Sequence, residues 1–144
     1  MMNVASLAGL LMMIGGLVGL ILRQQVLSAS LSVIALQALA VALMVWARLT
    51  FGRRSFHATA SPTEGGLVTR GPYRWVRHPI YTAVCLFAWA CVLGYPSRFS
   101  LTMAGIVTAG AAARMLAEEA SLRLRYPEYA EYARRTKRMV PYVF

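Results

Sequence analysis

Three ionisable side chains lie close together near the end of an otherwise apolar segment. Glu118 and Glu119 are adjacent, and Arg114 precedes Glu118 by four residues, so Arg114 and Glu118 share one face of a helix. Ionisable groups at membrane depth are costly and usually mark a functional site. Because only five residues of the chain are acidic, two adjacent carboxylates predict a site for a polar ligand that bears positive charge and hydrogen-bond donors. The alternative interpretation is an Arg–Glu pair that extends to the membrane interface without further function.

A second group of candidate residues lies in the loop 48–78, which is about thirty residues long, a length that is uncommon in compact proteins and often functional. Its last part, SPTEGGLVTRGPYRWVRHP, combines turn-forming glycines and prolines with arginines and aromatic residues. Contact with anionic lipid headgroups accounts for the arginines, and Trp75 could belong to an interfacial aromatic belt. Neither explanation accounts for the interleaving of Tyr73, His78 and Tyr81.

The sequence does not predict a metal site. His57 stands in a separate polar stretch and is interpreted as a solvated loop residue, whereas His78 lies at the membrane boundary directly before Pro79. No second His or Cys stands at ligand spacing from either histidine, and the chain has no Asp.

Four apolar segments must position these residues. They are residues 4–22, 26–47, 79–96 and 99–117, and each is near the length that crosses a hydrocarbon core. Apolar residues make up 58% of the chain and charged residues 14%, against about 45–50% and about 25% in soluble domains. The sequence therefore predicts an all-α membrane bundle of about four transmembrane helices. A cleaved signal peptide is the competing interpretation of the first segment, which lacks a preceding basic region.

The basic residues predict the orientation of this bundle. Four spans place both termini and the loop 48–78 on one side, which holds twelve Lys and Arg residues, whereas the opposite side holds Arg23 and Arg98. This asymmetry indicates that the termini, the loop and the active site are cytoplasmic, in the inner membrane if the protein is bacterial. Residues 120–144 are expected to form an amphipathic tail, broken at Pro127, that lies on the membrane.

Length and composition exclude other classes of protein. The chain is expected to be a single membrane domain, 1–144. Its abundance of Leu, Val, Ala and aromatic residues excludes disorder. A nucleic-acid binder is not expected despite the net charge of +10, because the basic residues punctuate membrane-length segments and do not form a stripe on a soluble fold.

Small residues predict where the helices approach one another. Gly15 and Gly19 form a GxxxG pattern in the first segment, and Gly105, Ala109 and Ala113 repeat at the same spacing in the fourth. Such faces allow close backbone approach. Packing within the chain is the favoured interpretation, and dimerisation is the alternative, so the oligomeric state stays open.

Two motifs resemble a known family. The segment RGPYRWVRHPIY, residues 70–81, is followed by EEASLRLRYPEYAEYARRTKRMVP, residues 118–141. Together they resemble the isoprenylcysteine carboxyl methyltransferases, which are integral membrane enzymes that use S-adenosyl-L-methionine and are related to the phospholipid N-methyltransferases. The resemblance covers residues 62–141, and the first two segments match only in being hydrophobic.

The resemblance implies roles for individual residues. It implies that Arg114 orients the acceptor substrate. Glu118 matches the cofactor-binding glutamate of the family's Glu–Glu pair, and Glu119 is its neighbour. The remaining cofactor-binding residues that it implies are Gly65, Gly66, Leu67, Val68, Tyr73, His78, Pro79, Ile80 and Tyr81. One position departs from the family pattern, because Ala83 stands where the motif His-Pro-x-Tyr-x-Gly usually has glycine.

The implied activity is methyl transfer from S-adenosylmethionine to a lipophilic small molecule or a prenylated acceptor, at the surface of the lipid bilayer. A carboxylate such as Glu118 can hold amino or ribose groups through charge-assisted hydrogen bonds, and an arginine such as Arg114 can orient an acceptor carboxylate. The alternatives are a phospholipid or thiol methyltransferase, then an NADPH-dependent membrane reductase, and finally an inactive membrane scaffold, which Ala83 would favour.

Overall fold

The computed structural model describes residues 2–52 and 66–140, and the described chain is helical. It contains the helices α1 (Met2–Leu22), α2 (Leu31–Phe51), α3 (Pro79–Gly94), α4 (Arg98–Arg125) and α5 (Tyr129–Arg135), with a 3-10 turn at Gly71–Arg74 before α3. Three of these helices, α1, α2 and α4, are long and apolar enough to cross a membrane, and α3 is a shorter apolar helix. The predicted membrane helical bundle is thus confirmed.

The helix boundaries differ from the predicted spans, most of all in α2, α3 and α4. α2 begins at Leu31, later than the predicted residue 26, because residues 23–30 form the connection from α1, and the Gln37 side chain holds it by donating to the Val26 carbonyl at 2.7 Å. α3 has 16 residues and ends at Gly94. α4 continues beyond residue 117 to Arg125, because no helix-breaking residue occurs before Pro127. Glu118 and Glu119 therefore lie within a continuous helix.

The helices α1 to α4 are arranged in the spatial order α1–α4–α3–α2. α1 packs on α4, α4 packs on α3, and α3 packs on α2. The two N-terminal helices thus flank the two C-terminal helices, which carry the candidate site residues.

Close contact between α1 and α4 depends on glycine. A methyl group in place of a Gly9 hydrogen would lie 2.6 Å from the Gly110 carbonyl oxygen, and the same distance separates a methyl at Gly110 from the Gly9 carbonyl oxygen. A methyl group at Gly16 would lie at the same distance, 2.6 Å, from the Val107 side chain. The predicted packing within the chain holds for Gly19, which faces Met103, but not for Gly15 and Gly105, which have no such neighbour. The buried seam of α1 is offset from Gly15 by one residue, about 100° around the helix.

A short segment near the C-terminus returns to the start of α3. We call residues 136–140 the C-terminal strap. Lys137 pairs with Val76 in a parallel bridge, and its carbonyl oxygen accepts from the Arg77 backbone N–H at 2.7 Å. The His78 N–H donates to the Arg138 carbonyl at 2.9 Å. The strap is thus fastened to the residues that enter the candidate site.

Candidate active site

The start of α3 and the late turns of α4 bring the candidate residues together. His78 is the last residue before α3, and Pro79 occupies the first turn, where its missing N–H is tolerated. This geometry places Tyr81 in the first turn of α3, opposite Arg114 and Glu118, which lie one turn apart on α4.

Tyr81 joins the two charged residues of α4. Its hydroxyl donates to Glu118 Oε1 and accepts a hydrogen bond of 2.8 Å from Arg114 Nε. Arg114 Nη2 also lies 3.6 Å from Glu118 Oε1. Tyr81 and Arg114 are buried, whereas the Glu118 side chain is 25% exposed. The Glu118 carboxylate is therefore partly accessible, whereas Tyr81 and Arg114 contact it from the buried side.

His78 lies between the two glutamates. Its Nδ1 is 3.7 Å from Glu118 Oε2, and its Nε2 is 3.4 Å from Glu119 Oε1. The imidazole stacks on the Tyr81 ring at a centroid distance of 5.7 Å. Within the described ranges, no aligned hydrogen bond satisfies the buried Nε2. The imidazole thus lies between the two carboxylates and packs on the Tyr81 ring.

The two adjacent glutamates have different surroundings. The Glu119 side chain is only 4% exposed and contacts three arginines: Arg77 Nε at 3.0 Å, Arg138 Nε at 3.4 Å and Arg123 Nη2 at 3.5 Å. A buried carboxylate surrounded in this way stays ionised and rigid, since charged donors compensate for its lost hydration. Glu119 is therefore suited to holding the site together, and Glu118 to meeting a ligand.

Arg77 connects this buried carboxylate with the C-terminal segment. In addition to Glu119, its guanidinium donates to the carbonyl oxygens of Ala133 at 2.9 Å and Thr136 at 2.5 Å. Sequence reasoning assigned Arg77 only to membrane topology. The available signal was its position beside His78 in the motif, but sequence spacing alone could not show that residues 133–136 return to it.

Tyr73 supports the site from the 3-10 turn. It is buried, its ring packs on Phe51 at 5.4 Å, and its carbonyl oxygen accepts from the Tyr132 hydroxyl at 2.7 Å. Burial raises the pKa of the Tyr73 phenol well above its usual range, and the negative charge of Glu118 raises it further. The phenol therefore stays neutral and can donate a hydrogen bond.

Other predicted residues lie at the margins of this cluster. Pro79 is fully buried and Ile80 half-buried at the start of α3. Gly66 is exposed with a φ of 76°, and Leu67 and Val68 are half-buried beside it. The hydrogen bonds and ion pairs that join Tyr81, His78 and the two glutamates do not involve residues 66–68. Gly65 and His57 lie outside the described residues.

Ala83, the departure from the family motif, is 1% exposed in α3. Across residues 2–52 and 66–140, no three His, Cys, Asp or Glu side chains come together in a group that could hold a metal ion.

Comparison with known proteins agrees with the motifs. Residues 27–129 match the model of the phospholipid methyltransferase family, which belongs with the isoprenylcysteine carboxyl methyltransferase-related membrane enzymes. The chain is also 39% identical over 79 residues, 52% of its length, to the nickel-cobalt-cadmium resistance protein NccN of Alcaligenes xylosoxydans xylosoxydans. That match spans 36% of the relative's length, and no solved structure matches significantly. Since the family match covers most of the chain, the protein belongs to the phospholipid methyltransferase family.

Proposed function

We propose that the protein is a membrane methyltransferase that uses S-adenosyl-L-methionine and a lipophilic acceptor. The observation that carries the proposal is the cluster of Glu118, Tyr81 and Arg114, in which a partly exposed carboxylate stands beside a buried guanidinium. Membership of the phospholipid methyltransferase family supports the reaction class.

The residues present suit this cofactor. S-adenosylmethionine carries amino and hydroxyl donors and a positive charge, and the exposed side of Glu118 offers an acceptor of opposite charge. Tyr73 and His78 would border it with a neutral phenol and an imidazole, and Tyr81 would fix the orientation of Glu118. The backbone of residues 66–68 and the side chains of Pro79 and Ile80 would form the remaining wall.

Glu119 would act at this site through its neighbours. Its contacts with Arg77 and Arg138 fasten the C-terminal strap to α4, and its contact with His78 holds the imidazole beside Glu118. We therefore assign Glu119 a positioning role within the cofactor site.

The chemistry asks mainly for positioning. The bound cofactor would supply a sulfonium methyl group, so that a new bond forms between this carbon and the acceptor's nucleophile while the carbon–sulfur pair remains on sulfur, giving S-adenosylhomocysteine. Such an in-line displacement needs correct orientation and exclusion of water more than acid–base catalysis. The burial and hydrogen bonding of Tyr81 and Arg114 support the proposal on both counts.

Arg114 would orient the acceptor. Its guanidinium lies between Tyr81 and the N-terminal part of α1, within the apolar bundle, where a lipophilic molecule can arrive from the bilayer. A carboxylate acceptor such as a prenylated cysteine suits this donor. The family match equally supports a phospholipid acceptor, which is the second candidate. We place the site on the cytoplasmic side, where the arginine-rich loop and tail would lie.

Calorimetry on detergent-solubilised protein tests the cofactor assignment. Micromolar binding of S-adenosylhomocysteine that is lost in Glu118→Gln and His78→Ala supports it, and binding of NADPH in its place would overturn it. A labelled-methyl assay on native membranes, followed by mass analysis of the product, then identifies the acceptor. A labelled prenylated carboxylate would favour the first candidate, and a labelled phospholipid the second.

A further inference from the structure

Helix α1 contacts Arg114, the residue proposed to orient the acceptor substrate. All of α1 lies before residues 27–129, the part of the chain that matches the family. Arg114 Nη1 lies 3.4 Å from the Ser6 carbonyl oxygen and donates a hydrogen bond to it. The tight crossing of Gly9 and Gly110 fixes this register, since a methyl group at Gly9 would lie 3.2 Å from the Arg114 backbone nitrogen. Ser6 precedes Gly9 by three residues and so stands level with the Arg114 side chain.

The Ser6 hydroxyl is unusual for a serine within a helix. The residue is 0% exposed, and its Oγ has no hydrogen-bond partner among residues 2–52 and 66–140. A helical serine that avoids water ordinarily donates to the carbonyl oxygen of the preceding turn. A buried hydroxyl without a partner destabilises the fold and calls for an explanation.

We propose that the Ser6 hydroxyl and the Arg114 guanidinium together hold an anionic oxygen on the polar head of the lipophilic acceptor. This inference rests on the proposed function and extends it to α1. Both groups can donate hydrogen bonds, both residues are buried, and the Arg114 guanidinium contacts the backbone of Ser6 itself. An oxyanion can accept a hydrogen bond from the unpartnered Ser6 hydroxyl and carries the charge opposite to that of the adjacent guanidinium, whether it comes from a carboxylate or from a phosphate. Ser6 is thus a specificity-determining residue.

A purely structural role for Ser6 and a role in acceptor binding predict different effects of the same substitution. If the hydroxyl only fills space, Ser6→Ala removes an unsatisfied polar group and leaves a methyl group. The variant then melts at the same or a higher temperature and binds ligands as before. If the hydroxyl binds the acceptor substrate, the same variant keeps its stability but loses affinity for that substrate. Binding affinity and melting temperature together therefore distinguish the two roles.

The test compares intact protein, Ser6→Ala and the control Ser32→Ala, whose serine is exposed on α2. The probes are N-acetyl-S-farnesylcysteine, its methyl ester, which lacks the anion, and dodecyl phosphate. Each is titrated by calorimetry in detergent, with and without S-adenosylhomocysteine. We expect Ser6→Ala to bind an anionic probe roughly ten-fold more weakly, the loss of one hydrogen bond to a charged group. Ser6→Ala should bind the methyl ester as well as the intact protein does. Ser32→Ala should bind all three probes with the affinity of the intact protein.

The two anionic probes separate carboxylate from phosphate as the preferred head group. Equal affinity of Ser6→Ala and the intact protein for both anions, or absence of binding by the intact protein, would overturn the role of Ser6. Failure of the proposed function has a separate signature, which is the absence of S-adenosylhomocysteine binding.

Discussion

At the scale of single residues, the two adjacent glutamates differ because a helix turns by about 100° per residue. Glu119 turns toward three arginines and is buried, while Glu118 faces Tyr81 and Arg114 and stays partly exposed. Identical side chains at neighbouring positions thus meet different environments. We expect one of them to govern stability and the other to govern ligand binding.

Replacing each glutamate by glutamine separates these roles. Glu119→Gln leaves the buried Arg77 without its counter-charge, and the loss of one partner of a buried ion pair destabilises a protein by about 3 kcal/mol. We expect a clearly lower melting temperature for this variant. Glu118→Gln should lower the melting temperature less, because the Glu118 side chain is 25% exposed. It should bind S-adenosylhomocysteine at least roughly ten-fold more weakly, since a charge-assisted bond is lost. The reverse pattern would contradict the assignment.

The bridging hydroxyl of Tyr81 provides a second residue-scale prediction. Tyr81→Phe keeps the ring that stacks on His78 but removes the bond to Glu118 and the acceptor for Arg114 Nε. We expect calorimetry to show weaker S-adenosylhomocysteine binding by roughly ten-fold. The matched control is Tyr95→Phe, whose hydroxyl bonds to Leu27 at the opposite end of the bundle. Equal affinities in the two variants would argue against the bridge.

At the scale of elements, the site depends on how α1 and α4 cross. The buried positions Ser6, Met13 and Leu20 repeat along α1 every seven residues, with Gly9 and Gly16 between them. This seam brings the α1 backbone against α4 and holds Arg114 between Ser6 and Tyr81.

Glycine substitutions test this crossing directly. A methyl group at Gly9 would meet the Gly110 carbonyl oxygen at 2.6 Å, and backbone cannot move aside easily, so Gly9→Ala should lower the melting temperature. Gly15 has no neighbouring atom within 4 Å. Gly15→Ala is therefore expected to be neutral or stabilising by up to about 1 kcal/mol, from helix propensity. Equal effects of the two substitutions on thermal melting would refute the observed register.

The docking of α5 predicts a response to alkaline pH. Burial raises the pKa of the Tyr129 phenol to about 12, with Glu119 as a further cause, and burial also raises the pKa of Tyr132. The pKa of both phenols is 10.0 when exposed. Because the folded pKa is the higher one, their stabilising contribution is complete below pH 10 and is lost as the pH rises toward 12.

Melting temperatures measured at increasing pH check this expectation. The intact protein should lose stability between pH 10 and 12. Tyr132→Phe, which removes one of the two phenols, should show a shallower decline over the same interval. An identical decline in both proteins would show that Tyr132 does not contribute.

At the scale of the whole molecule, a basic surface lies at the end that carries the site. The strap, α5 and the end of α4 carry arginines and Lys137 near the Glu118 cluster, while the sides of α1, α2 and α4 expose large apolar residues such as Leu11, Val41 and Leu101. Lipid contact accounts for the exposed apolar sides, since soluble proteins rarely expose so many together.

Cysteine labelling tests the proposed orientation. Leu27 is 84% exposed in the α1–α2 connection, and the Lys137 side chain is exposed on the strap. A membrane-impermeant maleimide should label Leu27→Cys in intact cells but Lys137→Cys only after permeabilisation. The native Cys85 and Cys91 are buried, so the background is low. Labelling of Lys137→Cys in intact cells would reverse the orientation.

The sequence by itself determined the helical membrane class and the family, because both depend on local patterns: long apolar runs, and the motifs around His78 and Glu118. It also identified Arg114, Glu118, His78 and Tyr81, which the tertiary structure then joins. Only the tertiary structure decided that α1 packs on α4 through Gly9 rather than Gly15, that Arg77 holds the returning strap, and that Glu119 is enclosed while Glu118 is not. These features depend on contacts between segments far apart in the chain, for which spacing along one helix carries no information.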